Sequence, residues 1–184
     1  DLGPQLVRDF QLPLLRHHAS WSLFNQTVCA LRFLYRFTLG RPDVVEMVPF
    51  GKIPTVFPTV LNPEEVVRLI AAARPGVEHI MVVVGYSCGL RVSEVLNLRV
   101  ADIDSRRMVV VVRQGKGRKD RLVPLSAKLL AELRAYWRVH RPSTWLFPGS
   151  KRDRPLTDGT VHRWFQGLAT RAGLGKRVVF HTLR

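Results

Sequence analysis

The chain has 184 residues and a net charge of +15, from 29 lysines and arginines against 14 aspartates and glutamates. With 46% hydrophobic residues it can build a packed core, which excludes a disordered basic tail. A folded chain this basic is expected to bind a polyanion, most simply nucleic acid, although a basic protein of the ribosome or of a membrane surface would share the composition.

The two cysteines, Cys29 and Cys88, lie in apolar helical patterns. We expect both to be buried free thiols in a reducing compartment, and neither to form a disulfide or a zinc site. The longest uncharged stretch of the core pattern, residues 80–90, is shorter than the ~20 residues of a bilayer-spanning helix. The chain opens without a cationic and apolar leader, so no signal peptide is expected.

Residues 1–47 are predicted to be helical, and residues 48–58 to form an extended linker with three prolines and a glycine. Six apolar residues share one helical stripe: Trp21, Phe24, Val28, Leu31, Leu34 and Tyr35. The simplest interpretation is a small helical bundle. Residues 1–58 carry a net charge of +2 and residues 59–184 one of +13, so the second part is expected to attract a polyanion more strongly.

Two helices are predicted after the linker. Asn62 and Pro63 are typical of a helix start, because the asparagine side chain caps free backbone N–H groups and proline fits the first turn. Residues 77–88 form a mostly apolar, buried helix, and Gly89 breaks its pattern.

Arg91 begins a third helix, predicted over residues 91–98. A rigid cation beside free backbone N–H groups could hold a phosphate at this point. The simpler alternative is an ordinary ion pair with Glu94, three residues further along the helix.

A β-hairpin is predicted from two strand-like runs, residues 108–113 and 121–125, with a turn at residues 101–104 before the first. Glycines on both sides of Lys116 allow the backbone between the strands to bend tightly. Residues 106–121 contain seven basic residues and one acid. The connecting loop is therefore either a solvated charged tip or a segment that enters a nucleic-acid groove.

Two further helices are predicted beyond the hairpin. Ser126 is expected to cap a helix that stops at Arg141, and Thr157 or Asp158 to cap the next one. A basic loop, residues 151–154, lies between these helices.

Three short motifs occur in order along the chain: Gly89-Leu90-Arg91-Val92-Ser93-Glu94, Gly115-Lys116-Gly117 and His181-Thr182-Leu183-Arg184. Lys116 lies 25 residues after Arg91, and Arg184 lies 93 residues after it. Each motif is weak alone. The three together, in a basic chain, resemble the tyrosine site-specific recombinases of the phage integrase family, and most closely its Xer-like members.

This resemblance implies a mixed, mainly α fold: a helical catalytic domain with a small antiparallel β-hairpin or sheet, preceded by a partial helical DNA-gripping domain. Residues 1–47 would then be the end of the gripping domain and residues 48–58 the linker. Residues 59–184 would be a catalytic domain that is incomplete at its C-terminus.

The resemblance also implies a reaction without metal or cofactor, in which a tyrosine attacks a DNA phosphodiester and leaves a 3′-phosphotyrosine. Arg91 and Arg184 match the arginines that neutralise the phosphate oxygens as charge builds in the transition state. Lys116 matches the lysine that gives a proton to the leaving 5′-oxygen, with Lys119 as the weaker candidate. His181 matches the histidine that helps deprotonate the nucleophile and supports the phosphate.

The expected partner is double-stranded DNA, on which the chain could form a homo-oligomer, with no membrane and no small-molecule cofactor. The expected location is accordingly the bacterial cytoplasm, in association with the nucleoid. Six basic residues of the hairpin and of the second basic loop are candidate DNA contacts: Arg113, Arg118, Lys119, Arg121, Lys151 and Arg152.

The sequence departs from the family pattern in its tyrosines. In the family the nucleophile follows the His-x-x-Arg motif, whereas Tyr35, Tyr86 and Tyr136 all precede it. We therefore expect a recombinase truncated before its nucleophile and inactive alone, as a short product, a pseudogene product or a fragment. A non-catalytic module that binds recombination sites is the first alternative. An RNA-binding protein is the second, although residues 108–125 lack the aromatics that would stack on RNA bases.

Overall fold

The computed structural model describes residues 2–46, 48–52, 54, 57–113 and 119–184. It divides into two compact units, Asp1–Phe57 and Pro58–Arg184. Each unit has a hydrophobic core of its own.

The first unit is helical, as predicted, with α1 over Pro4–Arg16, α2 over Trp21–Phe33 and α3 over Asp43–Glu46. A π-helical turn, Leu34–Thr38, continues α2. Its core consists of seven buried residues: Val7, Phe24, Val28, Tyr35, Val44, Val45 and Val48.

The start of the segment predicted as a linker is hydrogen-bonded to α2. The amide of Asn25 donates to the Gly51 carbonyl over 2.9 Å, and its oxygen accepts the Gly51 N–H over 2.7 Å. Nη2 of Arg32 donates to the Val48 carbonyl over 2.8 Å. Residues 48–51 therefore pack on the first unit.

The expectation that both cysteines are buried is correct for Cys88 and wrong for Cys29. Cys88 is buried, and this burial raises the pKa of its thiol to about 11. Cys29 is exposed. Its neighbour Val28 faces the core, and because consecutive residues of an α-helix point about 100° apart, Cys29 is turned toward solvent.

The second unit contains α4 over Pro63–Ala72, α5 over Val77–Cys88, α6 over Val92–Leu96, α7 over Ala127–His140 and α8 over Asp158–Arg171. Short 3₁₀ turns cover Val100–Asp102 and Phe180–Leu183. The predicted bounds of α5 are confirmed at both ends.

The predicted caps of α4 and α7 are also confirmed. The side chain of Asn62 accepts the Glu65 N–H over 2.8 Å, and the Glu65 carboxylate accepts the Asn62 N–H over 2.9 Å. Ser126 Oγ accepts the Leu129 N–H over 3.1 Å. At the start of α8 the capping position is Thr157, whose side chain makes no capping bond.

Within the described residues, the strands form one antiparallel sheet in the order β1 (Ile103–Asp104), β2 (Val109–Val112), β3 (Arg121–Pro124). The predicted hairpin is confirmed as β2 and β3, with Val112 opposite Arg121. The interpretation of residues 101–104 as a turn is wrong for its last two residues, which pair with β2. The turn comes later, where the Asp104 carboxylate accepts the N–H groups of Arg106 and Arg107.

The core of the second unit is arranged around α5. Residues 80–84 of this helix are all buried. The other helices of the bundle cover it, since α4, α6, α7 and the turn Phe180–Leu183 pack against it. Arg171 of α8 also forms an ion pair with the buried Glu78 of α5. The expected mainly helical fold with a small antiparallel sheet is confirmed.

Gly85 allows the last turn of the chain to approach α5. A Cβ atom at Gly85 would lie 2.5 Å from Cζ of Phe180, so a larger residue would push the ring away. Phe180 immediately precedes His181, and Arg91 lies two residues after the left-handed Gly89 that ends α5. Two of the predicted motifs are therefore each connected to the C-terminal part of α5, one by following it in the chain and one through Phe180.

Among the described residues, no helix combines the length and the apolar character that a bilayer crossing requires.

Gly85→Ala is expected to destabilise the second unit by about 1–3 kcal/mol, because the added methyl group overpacks the contact with Phe180. Thermal and urea unfolding would measure the loss. Gly159→Ala is the matched control: within α8 the added Cβ meets no atom within 4 Å, and alanine favours the helix by up to about 1 kcal/mol. Equal stability changes for the two variants would contradict the packing role of Gly85.

Candidate active site

Arg91 occupies the capping position of α6. Gly89 adopts the left-handed conformation with φ +56°, and Leu90 is buried, so the chain turns sharply into Arg91. The backbone N–H of Arg91 donates to Glu94 Oε2 over 2.8 Å, and its Nη1 donates to Glu94 Oε1 over 3.0 Å. The ion pair considered from the sequence is therefore present. The Arg91 side chain nevertheless keeps 33% of its surface exposed.

Glu94 is buried and accepts hydrogen bonds from Arg91 and from a second arginine. Its side chain is only 4% exposed, yet it accepts a second arginine. Arg121 donates from Nη1 to Oε1 over 2.7 Å and from Nη2 to Oε2 over 2.8 Å. Hydrogen bonds from Arg121, and then from Arg91, outweigh the effect of burial and lower the pKa of Glu94 to about 2.

A second arginine–carboxylate pair lies at the other strand of the hairpin. Arg113 Nε donates to Oδ1 of the buried Asp102 over 2.8 Å, and this contact raises the pKa of Arg113. Asp102 Oδ2 accepts the Arg99 N–H over 2.9 Å. Both arginines that flank the hairpin loop are therefore tied to carboxylates of the α6–β1 region.

The remaining basic candidates fall into two groups: residues outside the described part of the chain and residues with exposed side chains. Lys116 and Arg118 lie outside the described residues. Lys119 is exposed, and so are Lys151 and Arg152 in the loop before α8. These last three side chains have the solvent access that a phosphate contact requires.

His181 and Arg184 lie on one short turn with their side chains exposed, while Phe180 and Leu183 of the same turn are buried. The apolar pair fixes the turn and directs the polar pair outward. His181 and Arg184, together with Arg177, line an open cavity of about 490 Å³.

Lys176 binds the segment before this turn to the start of the second unit. The sequence did not predict this role. Its Nζ lies 2.8 Å from Glu65 Oε1 and donates to the Val60 carbonyl over 3.2 Å. The ammonium group lowers the pKa of Glu65. Glu65 was recognisable as a helix-start residue, but no local pattern connects it to a lysine 111 positions away.

The structure thus joins Arg91 and Arg121 through Glu94, and it places His181 and Arg184 on one cavity. Arg91 follows the glycine that ends α5, and Phe180, the residue before His181, packs on Gly85 in the last turn of α5. Where the guanidinium groups of Arg91 and Arg184 and the imidazole of His181 meet one phosphate, they can neutralise it and exchange protons with it.

Comparison with known proteins identifies relatives of this chain. The model of the phage integrase family matches residues 59–184. "Putative integrase/recombinase y4qK" of Sinorhizobium fredii is 40% identical over 185 residues, covering 100% of this chain and 60% of the relative. "Tyrosine recombinase XerA" of Thermococcus kodakarensis is 36% identical over 189 residues, covering 100% of this chain and 66% of the relative.

The fold is also that of a solved recombinase. A lambda integrase dimer bound to a COC′ core site superposes with a TM-score of 0.79 at 18% identity, over 100% of this chain and 55% of the integrase. The chain belongs to the phage integrase family, the tyrosine recombinases, and it is Xer-like. It spans about three fifths of the length of the first relative.

Glu94→Gln is expected to lose stability at neutral pH and little at pH 2. The pKa of Glu94 falls from an ordinary 4.5 to about 2 on folding. Its contribution, at most about 3 kcal/mol, is therefore complete above pH 4.5 and disappears as the pH falls toward 2. Urea unfolding of wild type and variant at several pH values measures the difference.

Glu64→Gln is the control for this titration, since Glu64 is an exposed acid at the start of α4. Because solvent screens an exposed carboxylate, this variant should lose less stability at neutral pH than Glu94→Gln. A Glu94→Gln difference that stays constant from pH 7 to pH 2 would contradict the depressed pKa.

Proposed function

We propose that this chain is the DNA-binding and catalytic part of a site-specific recombinase, which breaks and rejoins duplex DNA for integration or recombination. The observation that carries the proposal is that the Gly89–Glu94 segment directly follows α5 while Phe180 holds the turn of His181 and Arg184 against the last turn of the same helix, within a family of tyrosine recombinases. The net charge of +13 on residues 59–184 supports duplex DNA as the substrate.

In this proposal Arg91 and Arg184 hold the non-bridging oxygens of the phosphate that is attacked. Planar guanidinium groups suit this task, since each can donate two hydrogen bonds in a fixed geometry. His181 accepts or donates a proton at the same phosphate. Lys116 supplies the proton to the leaving 5′-oxygen, with Lys119 as the weaker candidate.

The DNA is held by exposed cations around this phosphate. Lys119, Lys151 and Arg152 have solvent-accessible side chains, and we propose Arg118 as a further DNA contact from its place in the basic run of the sequence. Arg113 stays 57% exposed beside Asp102, so its remaining N–H groups can still reach a phosphate. Because the lambda integrase relative binds its core site as a dimer, we infer that this chain also assembles on DNA as a homo-oligomer.

We further infer that the nucleophilic tyrosine is not among these 184 residues. Tyr35 and Tyr136 are buried, and the Tyr136 hydroxyl donates to the Leu146 carbonyl over 3.0 Å. Burial raises the pKa of Tyr136 to about 12, which disfavours a phenolate. Tyr86 is 44% exposed, but it precedes the Gly89–Glu94 motif.

Duplex DNA binding is expected to weaken steeply with salt. If about six phosphates are neutralised, log K should fall against log salt with a slope of about −5. Fluorescence anisotropy at several salt concentrations measures this slope. Arg91→Gln should make it shallower by about 0.9, while Arg121 still pairs with Glu94. A slope near zero for wild type would rule out the basic surface as the DNA site.

A polypeptide of these 184 residues is expected to bind DNA without forming a covalent adduct. Arginines and a histidine can stabilise the transition state, but without a positioned nucleophile no covalent step follows. A nicked suicide substrate, analysed on a denaturing gel, tests this, with an active tyrosine recombinase on its own site as positive control. A covalent band from this polypeptide that disappears in Tyr86→Phe would contradict the assignment and identify Tyr86 as the nucleophile.

A further inference from the structure

We propose that Arg121 is a positioning residue: by holding Glu94 it leaves the guanidinium of Arg91 available to a DNA phosphate. This inference rests on the proposed DNA-binding function. It gives Arg121 a role different from a direct DNA contact, which its place in a basic hairpin had suggested.

The first support is the number of donors on Glu94. Each oxygen accepts two bonds: Oε1 from Nη1 of Arg91 and Nη1 of Arg121, and Oε2 from the Arg91 backbone and Nη2 of Arg121. A carboxylate offers about four lone-pair sites. The fork of Arg121 therefore fills the sites that Arg91 would need for a fork of its own, and among the described contacts the Arg91 guanidinium binds Glu94 through Nη1 only.

The second support is the charge of the cluster. Arg91 and Glu94 would form a neutral pair on their own, with little attraction for an anion. With Arg121 the three side chains carry a net charge of +1. Because Glu94 is only 4% exposed, solvent does little to screen its charge, and a second cation is needed to offset it.

The third support is where Arg121 lies. It begins β3 opposite Val112, at the base of the loop that carries Lys116. Its bond to Glu94 therefore connects the hairpin to the first turn of α6. Arg113, which directly follows β2, pairs with Asp102 instead, so it provides a matched arginine of the same hairpin whose described partner is not Glu94.

The decisive experiment compares Arg121→Gln, Glu94→Gln and the double variant on one mixed-sequence DNA duplex, by fluorescence anisotropy across a salt series. In Arg121→Gln, Glu94 captures Arg91, and DNA affinity should fall by about tenfold or more. Adding Glu94→Gln removes the carboxylate that would bind Arg91 in the single variant. The double variant should regain affinity to within a few-fold of wild type, with the wild-type salt slope.

Two controls keep the result interpretable. Glu94→Gln should not restore the affinity of Arg113→Gln, because Arg113 does not bind Glu94. Circular dichroism checks folding: Arg121→Gln alone leaves a buried acid short of a partner, whereas the double variant removes both members of the pair and should fold. The double variant therefore decides the question even if the single variant unfolds.

A double variant that stays weak, with a salt slope shallower by about 0.9, would mean that Arg121 itself contacts DNA and would overturn the proposal. Equal gains from Glu94→Gln in the Arg121→Gln and Arg113→Gln backgrounds would overturn it too, since they would reflect only the general loss of a negative charge. Failure of the wild-type chain to bind duplex DNA at all would instead overturn the proposed function.

Discussion

The candidate site depends on one buried carboxylate. Glu94 lies on a five-residue helix that is too short to be stable alone, and its two oxygens organise what surrounds it. They accept hydrogen bonds from the backbone N–H and the side chain of Arg91, which caps the helix. They also accept hydrogen bonds from Arg121, which lies 27 positions further along the chain on a strand. A buried acid costs free energy unless it is fully hydrogen-bonded. That requirement is what draws Arg91 and Arg121 to one point.

The packing around α5 supplies the other half of the site. A helix of apolar residues with one glycine in its last turn can accept an aromatic ring against its backbone, and Phe180 occupies that place. His181 and Arg184 follow Phe180 in the chain, so the packing of its ring also fixes the turn on which they lie. Lys176 binds Glu65 and holds the segment before this turn. A hydrophobic contact and an ion pair thus hold the His181–Arg184 segment against a helix that lies about 90 residues earlier in the chain.

Local features of the chain were predictable and distant pairings were not. The bounds of α5, the caps at Asn62 and Ser126, and the β2–β3 hairpin follow from patterns within a few residues. Strand β1 was missed because two residues carry no periodicity, and its pairing depends on a turn made by Asp104. The carboxylate partners of Arg113 and Arg121 were missed because a basic run looks the same whether its charges face solvent or a buried acid.

The most direct measurement is a crystal structure of this chain bound to a DNA duplex. Arg91 and Arg184 should each donate to a non-bridging oxygen of the same phosphate, at about 3 Å, with both Nη atoms of Arg121 still on Glu94. A complex in which Arg121 has left Glu94 to bind the DNA, or in which Arg91 contacts no phosphate, would contradict the role of Glu94 and Arg121 in presenting Arg91 to the DNA.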